Sequence, residues 1–209
     1  FAVPGTPGFT GIIDYPNAYN LRTSNYTVTG MLDNIEADSE FAIILEGGFI
    51  PQVEAGLKLS TSDKVINQDL LKANFKYQFV QEADNPAMAI GFVEGEEVYG
   101  YLVLSKNFKN FLNQNINVEV STGIKYDEYE ETNSFVGLTV PIFERVRILS
   151  EFYSYKENST EVSEGEDEDP EKRYAFNVSG EFYTTDSIRT KVFWRKKDDS
   201  FGLSISYIG

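Results

Sequence analysis

The sequence predicts an all-β protein, a single antiparallel up-and-down transmembrane barrel of about 12 strands. Three observations lead there. From about Asn25 to the last residue, segment after segment alternates apolar with polar side chains. Most of these segments approach the roughly 9–11 residues that a tilted membrane-spanning strand requires. No apolar run approaches the roughly 20 residues of a spanning helix, and no helix of three turns is evident. The count is even, as in bacterial single-chain barrels; about 10 strands is the lower count, because Ala87–Glu94 and Ser134–Val140 are the least regular segments.

The clearest alternation is Leu71, Ala73, Phe75, Tyr77 and Phe79 against Lys72, Asn74, Lys76 and Gln78. Successive side chains on a strand point to opposite faces, so this segment separates an apolar surface from a charged one. A sheet that repeats this without helices can close with hydrocarbon outside and water inside, which satisfies every backbone group.

In chain order, residues 1–24 come first and differ from the rest. Pro4, Gly5, Pro7, Gly8, Gly11 and Pro16 punctuate regular structure, so this stretch reads as an irregular segment docked at or in the periplasmic end of the barrel. The barrel then occupies 25–209. Asn25–Asp33 places Tyr26, Val28, Gly30 and Leu32 on one face, and Glu40–Gly48 carries Phe41, Ile43 and Leu45. Gln52–Ser60 sets Val53, Ala55, Leu57 and Leu59 against Gln52, Glu54, Gly56 and Lys58, and Asp69–Val80 is the strand quoted above. Ala87–Glu94 and Glu97–Lys106 flank a tight turn at Gly95, and Lys106–Asn113 has room for one helical turn. Asn115–Tyr126 opposes Ile116, Val118, Val120, Thr122 and Ile124 to Asn117, Glu119, Ser121 and Lys125. Ser134–Val140 and Arg145–Tyr155 flank a turn near Pro141. Arg173–Tyr183, Ile188–Arg195 and Phe201–Ile208 complete the set with the same alternation. If the N-terminus is periplasmic, the long connection Lys156–Lys172 falls outside the cell, where long loops of such barrels lie.

The faces give the expected site. Lys58, Lys72, Lys76, Glu119, Lys125, Arg147, Glu151, Glu181, Arg189, Lys191 and Arg195 lie opposite apolar faces and are expected to line the lumen. There they either set the selectivity of a pore or pair with one another and fill a closed interior. Leu71, Phe75, Phe79, Val118, Val120, Phe176, Val178, Val192, Leu203 and Ile205 are expected to face lipid. The 13 Tyr, 16 Phe and one Trp suit interfacial girdles, with Tyr77, Phe79, Tyr126, Phe152, Phe176, Phe182, Trp194 and Tyr207 as candidates.

Composition removes several classes of function. Cysteine is absent, so there is no disulfide framework and no thiol chemistry. Histidine is absent, which removes the commonest general base and metal ligand. A net charge of -15 disfavours nucleic-acid binding. The acidic run Glu161–Glu171 lacks the Asp-x-Asp-x-Asp-Gly spacing of a calcium loop and reads as a solvated loop. Asp127, Glu128, Glu130 and Glu131 could supply a glycosidase pair only at a defined carboxylate separation, and so many acids make chance clusters inevitable. No catalytic residue, metal site or cofactor is therefore expected, and the chain is read as a non-enzyme. It opens at Phe1 without Met, as a mature exported protein does after loss of its leader. A soluble exported β-sandwich or a lipocalin-like binding module would share the alternation and the aromatic content.

Gly8–Ala18 reads Gly-Phe-Thr-Gly-Ile-Ile-Asp-Tyr-Pro-Asn-Ala and resembles the opening of the YjbH-like outer-membrane barrels. The strand Pro86-Ala87-Met88-Ala89-Ile90-Gly91, followed by Tyr101-Leu102-Val103-Leu104-Ser105-Lys106, is similar to two strands of that family, and Phe201–Tyr207 to its last. The better-known members are longer than this chain. The resemblance implies a barrel in the bacterial outer membrane associated with exopolysaccharide production or export. It carries over no catalytic residue. The expected partners are outer-membrane lipid and, within the lumen, ions, small solutes or polysaccharide.

Overall fold

The computed structural model describes residues 14–33, 40–62, 71–95, 98–109, 116–127, 132–156, 172–197 and 199–209. Twelve strands form one closed antiparallel barrel: β1 (Tyr26–Asp33), β2 (Glu40–Ile50), β3 (Val53–Ser62), β4 (Leu71–Val80), β5 (Ala87–Glu94), β6 (Tyr99–Phe108), β7 (Val118–Asp127), β8 (Thr132–Phe143), β9 (Val146–Lys156), β10 (Lys172–Tyr183), β11 (Ile188–Arg195) and β12 (Ser200–Ile208). Each strand pairs with its sequence neighbours, and β1 pairs with β12 to close the ring. At that seam the Tyr26 and Gly209 backbones exchange hydrogen bonds of 3.1 and 3.0 Å.

The predicted strand set is therefore the observed one, with small differences at the ends. β8 runs on through Pro141 to Phe143 because its pairing with β9 shifts there, and a bulge accommodates a residue with no N–H to donate. Similar shifts occur at Gly48/Ile50 and Gln78/Val80. All three bulges lie at the barrel end where β1 begins, called the near end below. Extended backbone continues through Lys106 to Phe108, so no helical turn starts there. The acidic run Glu161–Glu171, the Glu128–Glu131 cluster and residues 1–13 lie outside the described residues.

The two faces divide as the alternation requires. Along Thr132–Thr139, exposed and buried residues alternate without a break. Leu71, Phe75, Phe79, Phe176, Val178, Val192 and Ile205 are exposed on the outer surface, and Val120 and Leu203 are half-buried on the same face. Val118 differs. It has outer-face register opposite Phe108 but is only 5% exposed, so its surface is not an open part of the apolar belt. An outer surface rich in Phe, Leu and Ile around a polar interior inverts the arrangement of a water-soluble barrel. One closed sheet also excludes the two-sheet sandwich.

Two glycines let large inner-face rings lie flat on the wall. Gly91 stands opposite Tyr101 and Gly202 opposite Phe193. A Cβ at Gly91 would come within 2.2 Å of the Tyr101 ring, and one at Gly202 within 2.1 Å of the Phe193 ring. A cross-strand ring over a glycine covers exposed backbone and allows local curvature.

Candidate functional site

The candidate site is the lumen, and residues 14–24 run through it. Asp14 sits toward the far end of the barrel, where Arg195 of β11 grips its carboxylate through Nε and Nη2 at 2.8–3.0 Å. Arg195 Nη1 donates at the same time to Asp33, the last residue of β1. Ten residues later, Ser24 N–H donates to the Gly48 carbonyl at the near end, at 2.8 Å. The segment therefore crosses the interior from the far half to the end where β1 starts.

An irregular chain inside a barrel has backbone donors and acceptors with no ladder to join, and leaving them unpaired is costly. The wall supplies the partners. Glu151 of β9 accepts from the Asp14 and Tyr15 N–H groups at 3.0 Å. Ser105 Oγ of β6 accepts from Ala18 N–H at 2.8 Å and lies 2.7 Å from Ser121 Oγ of β7. Lys76 of β4 donates to the Tyr19 carbonyl at 2.7 Å, and Glu54 of β3 accepts from Leu21 N–H at 2.9 Å. Lys76 and Glu54 also pair with each other at 3.1 Å.

Side chains of the segment anchor it further. Tyr15 stacks on Phe135 at 4.6 Å between ring centroids and lies 5.1 Å from Tyr153. These rings belong to an interior apolar cluster with Ala18, Ala87, Ala89, Val93, Tyr101 and Val103. Asn17 donates to Glu119 of β7 at 3.0 Å. Tyr19 donates its hydroxyl to Glu82, in the turn between β4 and β5, at 2.5 Å. Asn107 donates to the same Glu82 through its backbone at 2.8 Å. Burial opposes the Glu82 charge, but these hydrogen bonds hold its carboxyl below the ordinary value.

At the near end, the segment's backbone passes over a glycine. A Cβ on Gly48 would meet the Arg22 carbonyl oxygen at 2.5 Å and that of Leu21 at 2.8 Å. Gly48 faces inward on β2, so no other residue allows that approach without displacing the backbone.

The eleven charged residues expected to line the lumen all have inner-face register, but many meet protein rather than water. Lys76, Glu151, Glu181, Arg189 and Lys191 are buried. Lys58 pairs with Glu40 at 2.9 Å, and Lys72 stands directly opposite Lys58. Lys125 lies over the Tyr99 ring at 4.1 Å. Arg147 and Arg189 flank Glu181 at 3.9 and 3.6 Å. Sequence reasoning missed Asp14, Asp33, Glu46 and Ser105 as interior polar groups, and it put Glu54 and Asn177 on polar strand faces without naming them among the lumen residues. Glu54 was readable, because it shares the polar face of Gln52–Ser60 with Lys58.

Beside the segment, at the near end, a cavity of about 450 Å³ remains open. Asn17, Tyr19 and Arg22 line it from the segment, and Asn107, Asn117, Glu119, Thr139 and Arg147 from the wall.

The barrel has counterparts among solved structures. The NanC porin structure superposes with a TM-score of 0.55 at 13% identity, covering 87% of this chain and 98% of that one. The fold is that of outer-membrane porins and channels. The COG4313 outer membrane channel from Pseudomonas putida F1 superposes with a TM-score of 0.51 at 10% identity, over 94% of this chain and 98% of that one. No protein-family model matches the sequence, and comparison with curated proteins finds no relative. The barrel fold is thus common to these structures.

Proposed function

We propose that this chain is a bacterial outer-membrane barrel of the channel class whose lumen is closed by its own residues 14–24, and that solutes pass only when this segment shifts. One observation carries the reading. Four inner-face charges that would coat a water-filled pore, Glu54, Lys76, Glu151 and Arg195, are engaged instead by the segment's backbone and by Asp14. The exposed outer belt supports contact with lipid. The YjbH-like resemblance supports a setting in envelope polysaccharide production or export, and Asp14–Ala18, the end of its opening motif, is part of what threads the lumen.

Planar-bilayer recording tests the reading. The full chain is expected to insert, to show heat-modifiable gel mobility and to remain mostly non-conducting. A variant lacking residues 1–24 is expected to give steady single-channel currents. Equal, steady conductance from both proteins would reject the closed-lumen reading.

A further inference from the structure

We infer that the near-end cavity binds a small hydroxylated solute bearing an oxyanion, and that Arg147 receives the charge. The inference deepens the channel reading and rests on it for the route by which the solute arrives.

The argument begins with charge. The chain is acidic overall, at -15, yet the described lining of this cavity carries Arg22 and Arg147 against one carboxylate, Glu119. Glu119 is already engaged, with Oε1 accepting from Asn17 at 3.0 Å. The local balance is therefore cationic inside an anionic protein.

Hydrogen bonding points the same way. The Arg147 and Arg189 guanidiniums both lie over the Tyr183 ring, at 4.9 and 4.6 Å from its centroid. They share one carboxylate, Glu181, at 3.9 and 3.6 Å, too far for either to form a good hydrogen bond. Among the described residues, Arg189 Nε, Nη1 and Nη2 find no hydrogen-bond partner, and neither do Tyr183 Oη, Ser179 Oγ and the two carboxylate oxygens of Glu181. Two guanidiniums face one carboxylate, so donors outnumber acceptors in the cluster even when both Glu181 oxygens are counted. Buried guanidinium groups are costly in that condition, and an oxyanion is the ligand that supplies what is missing.

Access decides which residue does the binding. Arg189 is sealed, with a side chain only 1% exposed, whereas Arg147 is 31% exposed and lines the cavity. Arg147 can touch a solute, and Arg189 adds a second positive charge beside the same Tyr183 ring. The rest of the lining suits hydroxyl groups, because the Asn107, Asn117 and Thr139 side chains both donate and accept. The volume of about 450 Å³ lies within the range of about 300–1,000 Å³ typical of small-molecule sites.

Isothermal titration calorimetry on the full chain in detergent tests this with three probes. Gluconate offers a carboxylate on a polyol, glycerol phosphate a phosphate, and sorbitol the polyol alone. At least one of the two anions is expected to bind about tenfold more tightly than sorbitol, and which one does identifies the oxyanion. Arg147→Gln is expected to erase that preference, and Arg147→Lys to keep part of it. If Arg147→Gln does not fold, Arg22→Gln reads the same charge from the segment, with an expected severalfold loss. The inference is overturned if neither anion binds saturably, if sorbitol binds as well as both, or if the preference survives loss of the arginine charge. Heat-modifiable mobility is recorded on the same samples, so failure of the barrel reading shows separately.

Discussion

Glu54 and Lys76 form an ion pair in which both side chains are 0% exposed, and each also holds the threaded segment, by the Leu21 N–H and the Tyr19 carbonyl respectively. Two charges removed from water are favourable only when their remaining hydrogen-bonding capacity is used, and here the segment uses it. Barrel wall and segment therefore depend on the same pair.

Removing one partner leaves the other charge buried. Glu54→Gln and Lys76→Met are each expected to cost about 3–5 kcal/mol, and the double replacement Glu54→Gln/Lys76→Met less than the sum of the single effects. The temperature midpoint of the gel-mobility shift measures the loss. Both single variants are also expected to conduct in bursts, because they release the segment at its middle.

Gly48→Ala tests the near-end passage. The added methyl would meet backbone oxygens of Leu21 and Arg22 rather than a flexible side-chain tip, so the segment has to move. Faster protease cleavage near residues 20–24 is expected, with the barrel still folded by circular dichroism. Unchanged cleavage would contradict the close approach.

Acid should loosen the Glu82 anchor. The carboxyl lies below its ordinary value of about 4.5, so its contribution is complete above that pH and disappears as pH falls through the lower folded-state value. Closure is expected to be unchanged above the ordinary carboxyl value of about 4.5 and to weaken as pH falls below it. Glu82→Gln should already show the weakened state at neutral pH and add little further change on acidification. Channel open probability against pH is the measurement.

The outer face has its own test. Val178, in mid-strand and exposed, should tolerate Arg poorly, at about 2–4 kcal/mol, whereas Ile188→Arg at the start of β11 should cost about 0–1 kcal/mol. Reversible unfolding in lipid vesicles gives both values. The single tryptophan, Trp194, lies beside Phe176 and Phe201 and donates to Asp199 at 3.1 Å. Its emission is expected to be quenched by brominated acyl chains and not by iodide.

Strand number, pairing order and the two faces were legible because they follow from local alternation and even turns. Phe75 and Lys76 are assigned to opposite sides by adjacency alone. The contacts made inside the lumen were not legible. Asp14 meets Arg195, and Ala18 meets Ser105, across most of the chain length, and no periodicity encodes such contacts. Lys76 and Glu151 are buried on the inner face, yet nothing in their own strands says that their partner is a backbone rather than water. Val118 shows the converse: its alternation gives the correct face but says nothing about cover.

The seam between β1 and β12 imposes an order on biogenesis. Residues 14–24 immediately precede the first strand and are encircled by a ring whose last pairing is Tyr26 with Gly209. Inserting a polar peptide into a finished, sealed cylinder would require stripping its water inside a narrow tube. Laying it on an open, curling sheet, with the edges joining afterwards, avoids that step. Joining β1 to β12 is then the step that seals residues 14–24 inside.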